Sequence, residues 1–360
     1  MTLAQRLHID IPLLLGVSAL AFIGLVVLYS ASGQDMRTVL IQAARLLVAF
    51  AIMFAVARFS PMQLARWSLW FYVAGLLLLV VVLFYGDVGK GAQRWLDIKI
   101  IKFQPSEIMK LALPMVMAWY LSDSRLPPSL WRILVALFMI AVPVLLIARQ
   151  PDLGTAVLVA AAGCSVLFIA GISWKLLLAG ACVLISLSFP LWSLMHEYQK
   201  QRVLTFLNPE QDPLGAGYHI IQSTIAIGSG GLYGKGWLNG TQSYLEFLPE
   251  RSTDFIFAVF CEEFGLTGVA VLLGLYLFVV GRGLYIAARA RQAYGKLLGA
   301  GLILTFFVYI FVNMGMVSGQ LPVVGVPLPL ISRGGSSMLT IMAGFGILMA
   351  IKTHRRFLTD

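Results

Sequence analysis

The chain has 360 residues, 59% of them hydrophobic and only 12% charged, with a formal net charge of +10 and a mean hydropathy of +0.88. Soluble domains carry about a quarter charged residues, so a soluble globular protein is excluded and a polytopic membrane protein indicated. Three cysteines in apolar runs and four scattered histidines, His8, His196, His219 and His354, exclude a disulfide framework and a zinc site of the usual spacing.

The pattern predicts an all-α membrane protein with one integral membrane domain over residues 1–360 and ten transmembrane helices. In chain order the expected spans are Ile11–Ser30, Val39–Ala57, Trp67–Tyr85, Pro105–Leu121, Ile133–Ile147, Leu153–Ala170, Trp174–Met195, Asp254–Tyr285, Leu297–Val317 and Met338–Lys352. Ile11–Ser30 is too long for a signal-peptide core and lacks a clear cleavage site, so it reads as a retained span. An even number of spans puts both termini on one side. That side, with its short loops near 58–66, 122–132, 171–173 and 286–296, carries thirteen Lys or Arg against the acids Asp10, Asp123 and Asp360. Short basic loops face the cytoplasm. Both termini are therefore expected to be cytoplasmic. Topology absorbs the whole basic excess, so no nucleic-acid partner is expected.

The opposite, external side is close to neutral and holds two larger loops, Gly86–Gln104 and 196–253. In the longer one Tyr218, Ile221 and Ile225 recur at helical spacing and predict a short amphipathic helix on the surface, or simply a packing helix. Gly228–Gly236 fails the phosphate-loop pattern, because Ser229 replaces the first glycine and Gly236 follows Lys235; it reads as a flexible turn. Leu321–Ser337, with Pro322, Pro327 and Pro329, cannot be regular helix and reads as a segment lining a cavity.

Three acids open spans on this external side. Glu107 is followed by Lys110 at a spacing that places both on one helix face; the pair either neutralises itself or presents Lys110 to a phosphate. Asp152 starts the sixth span, where the helix dipole favours a carboxylate. Asp254, behind Glu250-Arg251-Ser252-Thr253, reads either as the helix cap of the eighth span or as a chemical group at the membrane surface. Glu262 and Glu263 lie deeper in the same run. Arg333 either meets an anionic head group or snorkels.

Six segments carry a family resemblance: Lys90–Leu96 (KGAQRWL), Phe103–Glu107 (FQPSE), Gln150–Thr155 (QPDLGT), Asp212–Tyr218 (DPLGAGY), Leu248–Phe257 (LPERSTDFIF) and Pro322–Pro329 (PVVGVPLP). In this order, over nearly the whole chain, they resemble the SEDS family, the group of shape, elongation, division and sporulation proteins. The short start resembles the elongation branch more than the division branch. Arg333 departs from the tyrosine usual before Gly-Gly-Ser.

The resemblance implies ten spans and a peptidoglycan glycosyltransferase that polymerises lipid II, the undecaprenyl-pyrophosphate-linked disaccharide-pentapeptide. It also implies a divalent cation, Mg2+ or Mn2+, and a class B penicillin-binding transpeptidase as partner. It places the essential acid on Asp254, expected to act as a general base on the acceptor hydroxyl. Glu107, Lys110 and Asp152 are expected to support it, with Arg94, Gln104, Lys235, Glu250, Arg251 and Arg333 as substrate contacts. The rival readings are a flippase for the same lipid-linked precursor and a scaffold without catalysis. A flippase needs ionisable groups along a path through both leaflets, whereas these cluster at the external mouth.

Overall fold

The structure is a computed structural model that describes residues 9–89, 92–97, 102–123, 126–176, 204–209, 216–241 and 250–354, with scattered positions between 178 and 200. It is mainly helical. The elements are α1 (Ile11–Ala31), α2 (Met36–Val56), α3 (Pro61–Tyr85), β1 (Asp87–Gly89), β2 (Ala92–Asp97), β3 (Lys102–Phe103), α4 (Pro105–Ser122), α5 (Leu130–Arg149), α6 (Leu153–Ile169), α7 (Ala216–Ser229), α8 (Ile256–Ala288), α9 (Ala293–Val317) and α10 (Ser336–Thr353). Every expected span coincides with one of these helices except Trp174–Met195, which lies mostly outside the described residues, as does part of the loop 196–253.

Among the described residues, seven helices are long and apolar enough to cross a membrane: α1, α2, α3, α5, α8, α9 and α10. Large apolar side chains such as Phe22, Trp70, Phe84 and Phe138 face outward. Such a surface would aggregate in water and is suited to lipid. Helix α4 is as long as α10 but carries Glu107 and Lys110 in its first two turns.

Several helix starts follow from local sequence. Ser60 and Gln63 form a reciprocal capping box at α3. The Asp10 carboxylate accepts from the Leu13 N–H at the start of α1, 2.9 Å away. Asp10 is fully buried, and Arg282 of α8 donates to both its oxygens, at 3.0 and 2.8 Å, while Lys352 of α10 also bonds it. Burial alone would push the Asp10 pKa up, but the Arg282 and Lys352 contacts hold it below the ordinary carboxylate range. This cluster ties the N-terminal end of α1 to the C-terminal ends of α8 and α10, so the described chain ends lie on one face.

Three features depart from the sequence reading. First, Gly86–Gln104 is not simply a loop: β1, β2 and β3 form a small antiparallel meander, pairing Asp87 with Trp95 and Leu96 with Phe103.

Second, α7 exists, but its buried face is Ile220, Ser223 and Ala226, while Ile225 is exposed. The stripe is turned from the expected Tyr218, Ile221 and Ile225 because α7 packs on α8, with the His219 ring stacked on Phe255 at 5.5 Å.

Third, α8 is broken at Gly265, whose φ of 62° and ψ of −164° are not helical, and Gly230–Gly236 docks into the break. Lys235 and Gly236 donate backbone N–H bonds to the carbonyls of Glu262 and Glu263, and Leu266 and Thr267 donate to Gly231 and Leu232, all at 3.0 Å. The glycine stretch expected to be flexible thus replaces the helical hydrogen bonds that the break removes.

At Gly234, with φ of 77°, an added Cβ would stand 2.1 Å from the Glu263 carbonyl oxygen. Gly234→Ala is therefore expected to destabilise the protein by about 2 kcal/mol or more, seen as a lowered Tm in detergent. Gly228→Ala, at an open position in α7, should leave Tm unchanged or slightly raised.

Candidate active site

A polar cavity of about 300 Å³ opens where β2, the N-terminal ends of α4 and α6, the turn before α8 and the loop before α10 meet. Eight of the expected site residues line it: Arg94, Gln104, Glu107, Lys110, Asp152, Glu250, Asp254 and Arg333. Trp95, Thr155, Leu158, Thr253, Tyr309, Gly325–Pro327 and Gly334–Ser337 complete the wall.

Each acid reaches the cavity by a different local route. Glu107 follows Pro105, which takes the first helical turn of α4 because its fixed φ suits that position. It is buried, and Lys110 Nζ donates to Glu107 Oε1 at 2.6 Å. Lys110 also lies over the Tyr309 ring, 5.0 Å from its centroid. A buried carboxylate and ammonium must be paired, and here each meets that need for the other. The ring adds a cation–π contact on a desolvated lysine.

Asp152 caps α6: its Oδ1 accepts from the Thr155 N–H at 3.2 Å. Its Oδ2 accepts from the Thr155 hydroxyl at 2.9 Å and from Gln104 Nε2 at 3.0 Å. Arg94 lies 3.6 Å from Asp152 Oδ1 and donates to the Pro151 carbonyl at 3.1 Å. The strand β2 is thereby clamped over the start of α6. Asp152 is both the expected cap and the anchor of two other cavity residues.

Asp254 is not a helix cap. It lies in the turn 250–255; the N-cap of α8 is Phe255, without a side-chain cap bond, and the helix begins at Ile256. The capping reading fails because tertiary contacts, not a local cap, hold this turn. Its half-buried carboxylate faces Gly325: Asp254 Oδ2 stands 3.4 Å from where a Cβ on that glycine would be. Glu250 enters with a φ of 55° and accepts from the Thr253 hydroxyl at 2.8 Å.

Two expected substrate contacts lie elsewhere. Lys235 is bound to Glu262 at 2.7 Å and to Thr241 at 2.8 Å. Glu262, fully buried in α8, also accepts from the Thr241 N–H and hydroxyl, both at 2.9 Å. A carboxylate without water needs such partners, and this need draws Lys235 away from the cavity. Glu263 accepts from the Ser30 hydroxyl. Both glutamates thus tie α8 to the glycine loop and to α1, a structural role. Arg251 reaches the turn after α1, its NH2 standing 3.7 Å from where a Cβ on Gly33 would be, and does not line the cavity.

Tyr309, Asn313 and Ser332 were missed by the sequence reading. Tyr309 and Asn313 stand one turn apart in α9, and Asn313 is fully buried. An amide inside an otherwise apolar helix was the available signal. The site's chemistry is that of four carboxylates and three cations around one space open to a polar ligand.

Comparison with known proteins shows which family the chain falls in. A family model for the FtsW, RodA and SpoVE proteins, described as cell cycle protein, matches residues 11–357. The peptidoglycan glycosyltransferase MrdB of Escherichia coli (strain K12) is 53% identical over 360 residues, which cover 99% of this chain and 97% of that protein. The peptidoglycan glycosyltransferase RodA of Treponema pallidum is 32% identical, covering 96% of this chain and 98% of that one.

Among solved structures, a chain described under "Structural coordination of polymerization and crosslinking by a peptidoglycan synthase complex" superposes with a TM-score of 0.84. It is 34% identical and covers 98% of this chain and 99% of its own. The rod shape determining protein RodA of Thermus thermophilus gives a TM-score of 0.74 at 29% identity, covering 96% of this chain and 97% of that one. Matched by the family model over residues 11–357 and by these relatives over nearly its whole length, the chain belongs to the FtsW/RodA/SpoVE family, the shape, elongation, division and sporulation proteins.

Proposed function

We propose that the protein is a peptidoglycan glycosyltransferase of cell elongation, polymerising lipid II into glycan strands at the outer leaflet of the inner membrane. The observation that carries this reading is the cavity itself, which gathers Asp254 with three other carboxylates and Arg94, Lys110 and Arg333 at the ends of the spans. The proposal sets the basic face, with both chain termini, toward the cytoplasm and the cavity toward the outside, because short basic loops face the cytoplasm.

In the proposed reaction the Asp254 carboxylate takes the proton of the acceptor sugar's 4-hydroxyl. That oxygen attacks C1 of the donor N-acetylmuramic acid from the face opposite the leaving group. The C1–O bond to phosphate breaks, its electron pair leaves with undecaprenyl pyrophosphate, and the anomeric configuration inverts. A base needs reach to the hydroxyl, and the half-buried turn sets Asp254 at the cavity wall. Positive groups stabilise the charge that builds on the leaving pyrophosphate; Arg94, Lys110 and Arg333 supply them. An apolar pocket of about 40 Å³, lined by α4, α9 and α10 and sharing Lys110 and Tyr309 with the cavity, is the proposed start of the path for the polyprenyl chain.

A divalent cation, Mg2+ or Mn2+, belongs to the proposal. Among the described residues no group of three or more His, Cys, Asp or Glu forms a closed ion cage. The cavity donors suit instead an ion held by one or two carboxylates and shared with substrate phosphates. Asp254 and Glu250, both on the cavity wall, would hold it. When bound, the ion would neutralise pyrophosphate charge. A class B penicillin-binding transpeptidase is the proposed partner, crosslinking the strands made here.

The flippase reading is disfavoured by Glu262 and Glu263, the only acids expected deep in α8, which bind the glycine loop and α1 rather than line a path. Among the described residues, the buried carboxylate at the face where the chain ends lie, Asp10, is held by Arg282 and Lys352.

Purified Asp254→Asn, given lipid II in detergent, is expected to fold with unchanged Tm and to lose at least ~10²-fold in glycan-chain formation, the usual worth of a positioned base. Full activity in this variant would return Asp254 to a structural role. Lys110→Ala should lower activity and Tm by stranding the Glu107 carboxylate, while the Glu107→Lys, Lys110→Glu exchange should recover more than either single change. An exchange no better than the singles assigns the two residues separate substrate contacts. Chelation with EDTA should stop polymerisation, and added Mg2+ or Mn2+ should restore it; persistence in EDTA would remove the cation from the mechanism.

A further inference from the structure

The carboxylate on which the proposed chemistry depends stands in no regular element, and its own side chain does not cap α8. Its position is set through the backbone. Ser252, Thr253 and Asp254 present three consecutive carbonyl oxygens, and each is taken by a different donor. The Arg333 N–H donates to Ser252 at 2.9 Å, the Ser332 hydroxyl to Thr253 at 2.6 Å, and Asn313 Nδ2 to Asp254 at 2.9 Å.

Two of these donors are side chains committed on both sides. The Ser332 oxygen accepts from the Leu328 N–H at 2.7 Å, while its only proton goes to Thr253. Asn313 Nδ2 gives a second bond, to the Val326 carbonyl at 2.6 Å. Both of its partners are carbonyls, which only accept, so the nitrogen and not the oxygen of the amide must face them. Asn313 is fully buried and Ser332 is 5% exposed, so water competes little for these bonds. Asn313 Oδ1 meanwhile has no hydrogen-bond partner, a cost the fold carries to keep the amide there. The loop segment these bonds grip, 325–333, also forms the wall beside the Asp254 carboxylate and part of the cavity lining.

We propose that Asn313 and Ser332 are positioning residues that set the Asp254 carboxylate against the cavity by clamping its turn to the proline loop. The proposal rests on the reading of Asp254 as the base. A shift of about 1 Å in a catalytic group can cost ~10²-fold in rate. Asn313 and Ser332 are the side chains that hold the Asp254 and Thr253 carbonyls from outside the turn, with the Arg333 N–H on Ser252 beside them; the bonds from Thr253 and Phe255 N–H to the Glu250 carbonyl lie within the turn and move with it.

The test uses the full-length protein in detergent with lipid II, measuring kcat, KM and Tm for Ser332→Ala, Ser332→Thr, Asn313→Leu and Asp254→Asn. Ser332→Ala is expected to lose about tenfold in kcat, with KM within roughly twofold and Tm nearly unchanged, because the fault lies in placement of the reacting group and not in substrate binding. Ser332→Thr, which keeps the hydroxyl, should recover most of that loss. Asn313→Leu should lose more, because two buried carbonyls go unpaired; if it does not fold, the serine pair decides alone. A Ser332→Ala enzyme with normal kcat, one whose loss lies only in KM or Tm, or a threonine variant that recovers nothing would each overturn the assignment. Asp254→Asn separates the two readings. If it is inactive while Ser332→Ala runs at full rate, only the positioning role fails; if it is active, the base reading fails and takes the positioning role with it.

Discussion

Every backbone stretch that leaves the helical state inside this protein must find hydrogen-bond partners without bulk water. That constraint shapes both irregular regions of the structure. At Gly265 the helix opens, and the glycine loop from α7 supplies the partners. Before α8 the turn carrying Asp254 leaves three carbonyls exposed, and the proline loop and α9 take them. In each case the repair joins segments far apart in sequence. The irregular backbone is what brings the ends of α4, α6, α8 and α10 around one polar space.

Charge follows the same logic. Among the described residues, four deeply buried acids have a cationic partner: Glu107 has Lys110, Asp152 has Arg94 as well as the Thr155 N–H, Glu262 has Lys235, and Asp10 has Arg282 and Lys352, while Glu263 has the Ser30 hydroxyl. Removing one partner from such a pair costs far more than the pair contributes to stability, because the other charge is left without water. These pairs therefore act mainly as fixed points of geometry. Asp254 differs: it is only half-buried, it faces the cavity, and its turn is held by backbone bonds that leave the carboxylate on the wall.

Helix existence and much of the site were legible in the sequence. Apolar runs of about twenty residues have few folded alternatives in a membrane, so the spans were readable, although their ends shifted by several residues where polar caps such as Ser60 and Asp35 extended them. Glu107, Asp152 and Asp254 were conspicuous because carboxylates at the ends of apolar runs are costly. Lys235 and Arg251 misled for the same reason: a cation in a polar loop looks available until the structure shows the buried glutamate or the turn that claims it.

The sequence by itself determined the spans, the basic face, the acids at the span mouths and the family, because each is written in local composition or in contiguous motifs. The tertiary structure alone decided which of those residues share a cavity, that Asp254 is not a cap, that the glycine stretch is docked and that Asn313 and Ser332 hold the turn. The reason is that these depend on pairings between residues far apart in the chain, such as Thr253 with Ser332, 79 positions away, and Lys110 with the still more distant Tyr309. Local pattern states that a buried carbonyl or carboxylate needs a partner; only the packing of the helices says which partner arrives.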